Sequence, residues 1–362
     1  MLVYLFLAFI CGLFALVESG KRTPRTIQMF YICLFFFLLV VGLRYRHGDY
    51  STYEWGYNMD LDVGGDTGYF FIQKLFHHAG LSFQVFVFII TLVSVIAFKQ
   101  TFRLSVWPCF GVLMILGKIF TLYAMSGIRQ YIAMAICWWA ISELLLNGRK
   151  MIFLIMVLIA ASMHGSALII LPVYFLKDYE FTTKRAVFML VIAMIAGFFS
   201  MQIFTTAADL SDFVDKRFTP YLIAEEHQGG MNMINYAENF LFLFLAYKVR
   251  PIAIKQIPYF DFFLYLFIIF CGFLIVGNEV SVVKRLRDYY AISYAIIVPS
   301  FVYLSKEGTY RKLAHVGIII YFIFLMFRSL SVYDYSYKSN AYNKMVPYHS
   351  IFEKNDLEKY YQ

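Results

Sequence analysis

Apolar runs separated by short polar stretches make up most of the chain. A membrane-spanning helix needs about 20 mostly apolar residues, and runs close to this length recur from end to end. The pattern predicts twelve hydrophobic segments, with approximate bounds 1–17, 27–43, 81–98, 105–125, 127–146, 151–163, 165–176, 186–205, 233–247, 259–277, 289–304 and 313–330. We therefore predict an all-α polytopic membrane protein with about 12 transmembrane helices.

Two of the segments, 151–163 and 165–176, are too short for full crossings at about 1.5 Å of rise per residue. We expect short or re-entrant helices that meet at His164 and Gly165. If the two segments are counted as two passes, successive loops alternate between the two sides of the membrane along the whole chain.

Basic residues follow the same alternation. A cluster of lysine or arginine lies in every second connection, at 21–25, 99–103, 149–150, 177–185, 248–255 and 306–312. Such clusters are typical of cytoplasmic loops, so both termini are expected outside the cytoplasm. We predict one transmembrane domain over 1–330 with outer loops 44–80 and 206–232, both folded, and an extracytoplasmic tail over 331–362.

The composition excludes several classes of protein. The 362 residues are 61% hydrophobic and only 15% charged, whereas soluble domains carry about 25% charged residues. The net charge of +8 is spread between apolar runs, a distribution that argues against nucleic-acid binding. All five cysteines lie inside apolar runs without a Cys-x-x-Cys pair, so neither a disulfide framework nor a metal site is indicated.

Several arginines lie where a predicted segment meets its outer loop. They are Arg44, Arg46, Arg129, Arg285, Arg287 and Arg328. A guanidinium group matches the paired oxygens of phosphate and pyrophosphate, so these positions favour a lipid phosphate such as a polyprenyl phosphate. Snorkelling to lipid headgroups is the alternative, and it is our interpretation of Arg328.

Two further residues are candidates for proton transfer. Asp49 lies among tyrosines in the first outer loop, where a carboxylate can deprotonate a sugar hydroxyl, although Gly-Asp is also ordinary turn chemistry. His164 interrupts an apolar run, and an ionisable group at membrane depth indicates function. A histidine satisfied by a backbone carbonyl is the alternative. Both interpretations of each residue stay open at this point.

Motifs of nucleotide chemistry are missing. The sequence has no Gly-x-Gly-x-x-Gly, no Walker lysine loop, no His-Glu-x-x-His and no Gly-x-Ser-x-Gly. An enzyme of this kind would draw its energy from an activated, membrane-borne donor. We therefore expect glycosyl transfer without a nucleotide sugar and without a cofactor.

Four short motifs occur in order along the chain. They read GLRY with GDY, then SGIRQ, then MHGSA, then KRLRDY. Over about residues 40 to 330 this order resembles the EpsG family of Wzy-type polysaccharide polymerases. The resemblance implies a GT-C-like membrane enzyme at the outer face of a bacterial inner membrane. It would transfer a growing glycan from undecaprenyl pyrophosphate to the non-reducing end of another lipid-linked repeat unit, with membrane lipids and a chain-length regulator as further partners.

The resemblance also implies which residues form the site. Residues for substrate and pyrophosphate binding are Arg44, Tyr53, Arg129, Gln130, Arg285, Arg287 and Tyr290. The implied catalytic residues are Asp49, His164 and Asp66. Asp66 stands in Asp-Thr-Gly-Tyr, where the family pattern leads us to expect Glu-Pro-Gly-Tyr, so the acid is shorter by one methylene. The identity of the base stays open among the three.

Three other functions fit parts of the pattern. A ligase that transfers finished glycan to another acceptor would use the same chemistry. A flippase or transporter for lipid-linked oligosaccharides would place charges along a central pathway, whereas these charges gather on one predicted face. A membrane acyltransferase would need a histidine such as His164 facing an acyl donor.

Overall fold

The computed structural model describes residues 1–18, 22–61, 65–200, 202, 206, 233–277, 281–305, 308–336 and 345–354, with the backbone alone for 281–282 and 332–336. Within these ranges the chain forms helices and the turns between them, and its one β-bridge pairs Arg44 with Ser350. The all-helical class is confirmed. The predicted outer loop 206–232 lies outside the described residues, except for residue 206.

The chain divides into two compact units, Met1–Leu171 with Lys306–Gln362, and Pro172–Ser305. The first unit contains nine α-helices among the described residues. They are α1 Leu2–Val17, α2 Pro24–Gly42, α3 Tyr50–Asn58, α4 Thr67–His78, α5 Phe83–Thr101, α6 Pro108–Lys118, α7 Ile128–Asn147, α8 Lys150–Met163 and α15 Thr309–Ser336. The prediction of a single transmembrane domain stays a prediction.

Three helical stretches are long and apolar enough to cross a membrane, namely Pro24–Gly42, Phe83–Leu104 and Thr309–Ser331. Shorter apolar helices accompany them, including α1, α6, α8 and α12 Phe260–Val276. These helices indicate a membrane protein. The count of twelve spans stays a prediction.

The interior of the first unit is built around α6 and α7. Helix α6 packs against α1, α2 and α15, and α7 packs against α5 and α8. Nearly every residue of α6 is buried, whereas α1 and α2 keep one face buried and expose large apolar side chains on the other. An apolar outer face is what a helix in contact with lipid requires.

One end of this unit gathers three of the basic clusters. The Arg22 guanidinium donates to the carbonyls of Phe102, at 3.3 Å, and Arg103, at 2.9 Å. Glu18 accepts hydrogen bonds from the N-terminal amides of α6, and Arg149 pairs with Glu143 at 3.3 Å. The alternation of charge therefore brings basic loops together in space, as the topology prediction requires.

The opposite end gathers the N-terminus, the first long loop and the C-terminal segment 345–354. The Tyr4 hydroxyl donates to the carbonyl of Met345 at 2.7 Å, and Tyr348 donates to the carbonyl of Val40 at 2.9 Å. The His47 ring stacks on Tyr348 with 5.2 Å between ring centroids. Loop 44–80 contains two helices, α3 and α4, and its position on the outer side stays a prediction.

The second unit is also helical. Its helices are α9 Val173–Leu176, α10 Thr183–Phe198, α11 Met233–Gln256, α12 Phe260–Val276, α13 Ser281–Arg287 and α14 Tyr294–Tyr303. Helix α12 lies at the centre, in contact with α10, α11, α13 and α14. At the N-terminal end of α12, Arg250 and Asp261 form a bidentate ion pair with both N–O distances at 2.7 Å. Bidentate geometry is the one in which such a pair is strongest.

Candidate functional site

Four helix ends meet in the first unit and carry the predicted site residues. Asp66 directly precedes α4, Arg129 lies in the first turn of α7, and His164 follows the last residue of α8. Helix α3 brings Tyr53 to the same place. Residues that are 63 and 98 positions from Asp66 in sequence therefore become its direct neighbours.

The Asp66 carboxylate holds the cluster together. Its Oδ2 accepts from Arg129 Nη1 at 2.8 Å and lies 3.0 Å from His164 Nδ1. Its Oδ1 accepts from the backbone N–H of Gly165 at 3.4 Å. The Asp66 side chain is 4% exposed, against 19% for Arg129 and 25% for His164. Asp66 is thus an internal anchor, while its two partners keep access to solvent.

Gly68 allows this close approach of α4 to α8. A Cβ on Gly68 would lie 2.2 Å from Ser162 Oγ and 2.6 Å from Ser162 Cβ. Since Ser162 precedes His164 by two residues, any side chain at position 68 would push α4 away from the end of α8. The glycine therefore helps to fix the distance between Asp66 and His164.

The surroundings of Asp66 keep its carboxyl group ionised. Burial raises its pKa, but the hydrogen bond and charge of His164, the charge of Arg129 and the amide of Gly165 together hold the pKa below its ordinary value of 3.8. Burial disfavours the charged form, whereas a cation within about 4 Å favours it. Here the hydrogen bonds and the charge of Arg129 outweigh burial, and Asp66 is a carboxylate at neutral pH.

That ionisation state fixes the tautomer of His164. A carboxylate can only accept a hydrogen bond, so His164 Nδ1 must carry the proton in its contact with Asp66 Oδ2. The lone pair of a neutral imidazole then lies on Nε2, and within the described ranges Nε2 makes no hydrogen bond of its own. The arrangement leaves His164 able to take a proton from a ligand.

Tyr53 and Asp49 tie the first outer loop to α7. Arg129 Nε donates to the Tyr53 hydroxyl at 3.3 Å, and its guanidinium carbon lies 5.5 Å from the centre of that ring. The Ser126 hydroxyl donates to Asp49 Oδ2 at 2.7 Å. At Gly48, with φ of +57°, a Cβ would lie 2.6 Å from Ser126 Cβ. Only glycine fits this turn without strain.

Arg44, predicted to bind phosphate, is buried in the structure. It is 2% exposed, donates to the carbonyl of Val41, and pairs through its backbone with Ser350 of the C-terminal segment. Burial lowers its pKa. Arg44 therefore lies inside the protein in this structure, and direct contact with a phosphate would require displacement of groups around it.

The remaining predicted residues have varied surroundings. Gln130 follows Arg129 in α7 and is 4% exposed. In the second unit, Arg287 forms an ion pair of 2.7 Å with Asp288, and the Tyr290 ring stacks on Phe273 at 5.6 Å between centroids. Arg285 is half-buried on the same helix, α13. The joint role of Arg285, Arg287 and Tyr290 with the cluster around Asp66 stays a prediction.

Sequence reasoning missed two residues of this site, Ser126 and Gly68. Ser126 begins the SGIRQ motif, and Gly68 lies in the Asp-Thr-Gly-Tyr element. Both motifs were recognised, but their serine and glycine were assigned no role. A small residue beside a functional one is the signal that could have identified them, since small residues allow helices to approach closely.

Asp66→Asn is expected to lower the free energy of unfolding on the order of 2–3 kcal/mol at neutral pH, since it removes charge-assisted hydrogen bonds from a buried site. The pKa of Asp66 is lower in the folded chain, so its contribution is present above the ordinary value of 3.8 and is lost as the pH falls through the lower, folded value. Thermal unfolding in detergent between pH 7 and pH 3 measures both effects. A variant as stable as wild type at pH 7 would contradict the anchoring role.

Comparison with protein families gives one match. A model described as EpsG family matches residues 27–350, which is far more than half of the chain and contains the whole cluster around Asp66. Neither the curated proteins nor the solved structures yield a match.

Proposed function

The chain belongs to the EpsG family, the family of Wzy-type polysaccharide polymerases, and from this premise we propose that it extends a lipid-linked glycan. The donor would be a glycan on undecaprenyl pyrophosphate, and the acceptor the non-reducing end of another lipid-linked repeat unit at the outer face of the inner membrane. The observation that carries the proposal is the Asp66 carboxylate, which joins a cation, Arg129, to a general-base candidate, His164.

The proposed reaction is a single displacement. The oxygen of an acceptor hydroxyl attacks the anomeric carbon of the donor, and its proton passes to His164 Nε2. The bond between that carbon and the pyrophosphate oxygen breaks, and the departing pyrophosphate carries the negative charge. One displacement at carbon inverts its configuration. Arg129 lowers the barrier by stabilising the charge that develops on the leaving group.

His164 is a better candidate base than either carboxylate. The pKa of Asp66 is lowered, and both of its oxygens already accept hydrogen bonds, so it holds a proton poorly. Asp49 accepts from Ser126 and connects the loop to α7. In His164, by contrast, Asp66 holds the proton on Nδ1, and Nε2 remains as an acceptor for a proton. In this proposal Asp66 orients both catalytic partners.

Arg129 suits the leaving pyrophosphate. Its Nη1 and Nε are engaged by Asp66 and Tyr53, and they fix the plane of the guanidinium. The Nη2 edge, in a side chain that is 19% exposed, can then donate to phosphate oxygens. Arg285 and Arg287 are proposed as further contributors to phosphate binding, and Arg44 as one that would act only after the groups that bury it are displaced.

Several features of the proposal come from the family rather than from the site. These are the GT-C-like arrangement and a chain-length regulator as partner, whereas the extracytoplasmic position of both termini comes from the alternation of the basic clusters. The N-terminus, loop 44–80 and the segment 345–354 lie at the same end of the first unit. This arrangement supports a common side of the membrane for all three.

Reconstitution tests the function directly. The purified chain in proteoliposomes should convert defined lipid-pyrophosphate oligosaccharides into a ladder of longer lipid-linked products without added nucleotide or metal salt. A single transfer to a different acceptor, with no ladder, would indicate a ligase. Movement of unchanged substrate across the bilayer would indicate a transporter and would reject polymerisation.

A further inference from the structure

A second cleft lies beside the proposed reaction site, in the same unit. Its volume is about 460 Å³, within the range of about 300–1,000 Å³ that is usual for ligand sites. Its lining residues come from α3, from the corner between α4 and α5, and from the C-terminal segment. They include Glu54, Asn58, His77, Ser82, Gln84 and Lys354.

The C-terminal segment 345–354 forms one wall of this cleft. Antiparallel hydrogen bonds hold it to the first loop, from Tyr45 N to the carbonyl of His349 and from Ile351 N to the carbonyl of Leu43, both at 2.9 Å. Ile351 and Lys354 then reach the cleft. The wall is thus part of the fold, held by specific contacts rather than by a loose end of the chain.

The chemistry of the lining favours a neutral ligand that is rich in hydroxyl groups. Glu54 of α3 and Lys354 of the C-terminal segment form an ion pair of 3.8 Å, so their charges offset each other. Asn58 and Ser82 supply both donors and acceptors, and Tyr57 with Phe83 forms an apolar floor. A pyrophosphate would need an excess of cations here. A saccharide needs the mixture of polar edges and apolar floor that the cleft presents.

Helix α3 connects the cleft to the reaction site. Tyr50, Tyr53, Glu54 and Tyr57 have the spacing of one helical face. Tyr53 contacts Arg129, whereas Tyr50, Glu54 and Tyr57 line the cleft. Sugars held in the cleft would therefore lie within a helix length of nine residues from the reacting bond, about 14 Å at 1.5 Å per residue.

We propose that this cleft binds the glycan chain away from its reacting sugar and so keeps the product on the enzyme between transfers. The inference rests on the proposed polymerase function. It predicts that the cleft determines how many repeat units are added before the product leaves. Loss of contacts in the cleft should shorten the polymer more than it slows the first transfer.

The test compares Glu54→Gln, Asn58→Ala and their double variant with Phe352→Ala. Phe352 lies in the same segment, is 80% exposed and does not line the cleft, so its variant is the matched control. The probe for binding is the lipid-free oligosaccharide released by mild acid from the lipid-linked substrate, titrated calorimetrically. Loss of one or two hydrogen bonds should weaken binding about five- to ten-fold in the double variant.

Product ladders from the same proteins complete the test. The mean product length of the double variant is expected to fall, while Phe352→Ala and wild type make equal ladders. Thermal unfolding midpoints verify that all variants are folded. If the double variant does not fold, Glu54→Gln, which keeps the shape of the side chain, takes its place in the comparison. Equal affinity and equal ladders in all folded proteins would overturn the proposal. If wild type forms no polymer, the polymerase function fails, whereas a binding loss confined to the Glu54 and Asn58 variants still supports a saccharide site.

Discussion

Replacement of Arg129 by alanine is expected to abolish polymer and leave single capped repeat units on the lipid. The guanidinium is the cation closest to Asp66 in the first unit, and its Nη2 edge is the proposed donor to the leaving pyrophosphate. Removal of one preorganised donor to a developing anion costs about 10²–10³ in rate. Reconstituted enzyme, assayed for transfer from defined lipid-pyrophosphate donors, gives this rate directly.

Two variants separate the phosphate role of Arg129 from a structural one. Arg129→Ala also leaves the buried Asp66 short of a partner, and this destabilises the fold. Arg129→Lys keeps the charge but loses the planar fork, so it should unfold near the wild-type temperature while its rate falls at least about ten-fold. Arg149→Ala at the opposite end, where the side chain is 57% exposed, should keep full activity. Long polymer from folded Arg129→Ala would reject the proposed role.

The contrast between Arg129 and Arg44 shows how far sequence reasoning reaches. Both were predicted at helix ends, and the structure places Arg44 just after α2 and Arg129 in the first turn of α7. The exposure of Arg44 was not predictable, because it depends on the segment around Ser350, more than 300 residues later. That side chain is buried by pairing with a distant segment, and the residues near Arg44 in sequence do not indicate this pairing.

The pairing of Asp66 with His164 had the same limitation. The sequence named Asp49 and His164 as possible bases from their settings, and the family resemblance added Asp66. It could not rank them, because the ranking follows from which atoms touch. The contact of His164 Nδ1 with an ionised Asp66 fixes the tautomer, and the clash that a Cβ at Gly68 would cause shows how tightly that contact is set.

Helix bounds were predictable where hydropathy decides them and less so elsewhere. Segments 1–17 and 127–146 match α1 and α7 within two residues. By contrast α11 continues to Gln256, past Lys248 and through Pro251, although the apolar pattern ends near residue 247. Polar residues end a hydrophobic segment but need not end a helix, since helical hydrogen bonds join backbone groups and do not depend on the polarity of the side chains.

Loss of His164 is expected to remove most of the rate of polymerisation. A positioned general base contributes about 10²–10⁴ in rate, so His164→Ala should retain at most about one per cent of activity. Transfer from defined lipid-pyrophosphate donors by reconstituted wild type and His164→Ala at neutral pH measures this loss.

Added imidazole and a second histidine make this assignment decisive. Free imidazole can enter the space left in His164→Ala and supply the missing base, so it should restore part of the rate in proportion to its concentration. His78→Ala is the matched control, because His78 is 65% exposed and pairs only with Asp60, at 3.4 Å, in the same loop. It should show the wild-type rate and no response to added imidazole. If His164→Ala kept the wild-type rate and did not respond to imidazole, proton transfer would have to be reassigned to Asp49, the other carboxylate near Arg129.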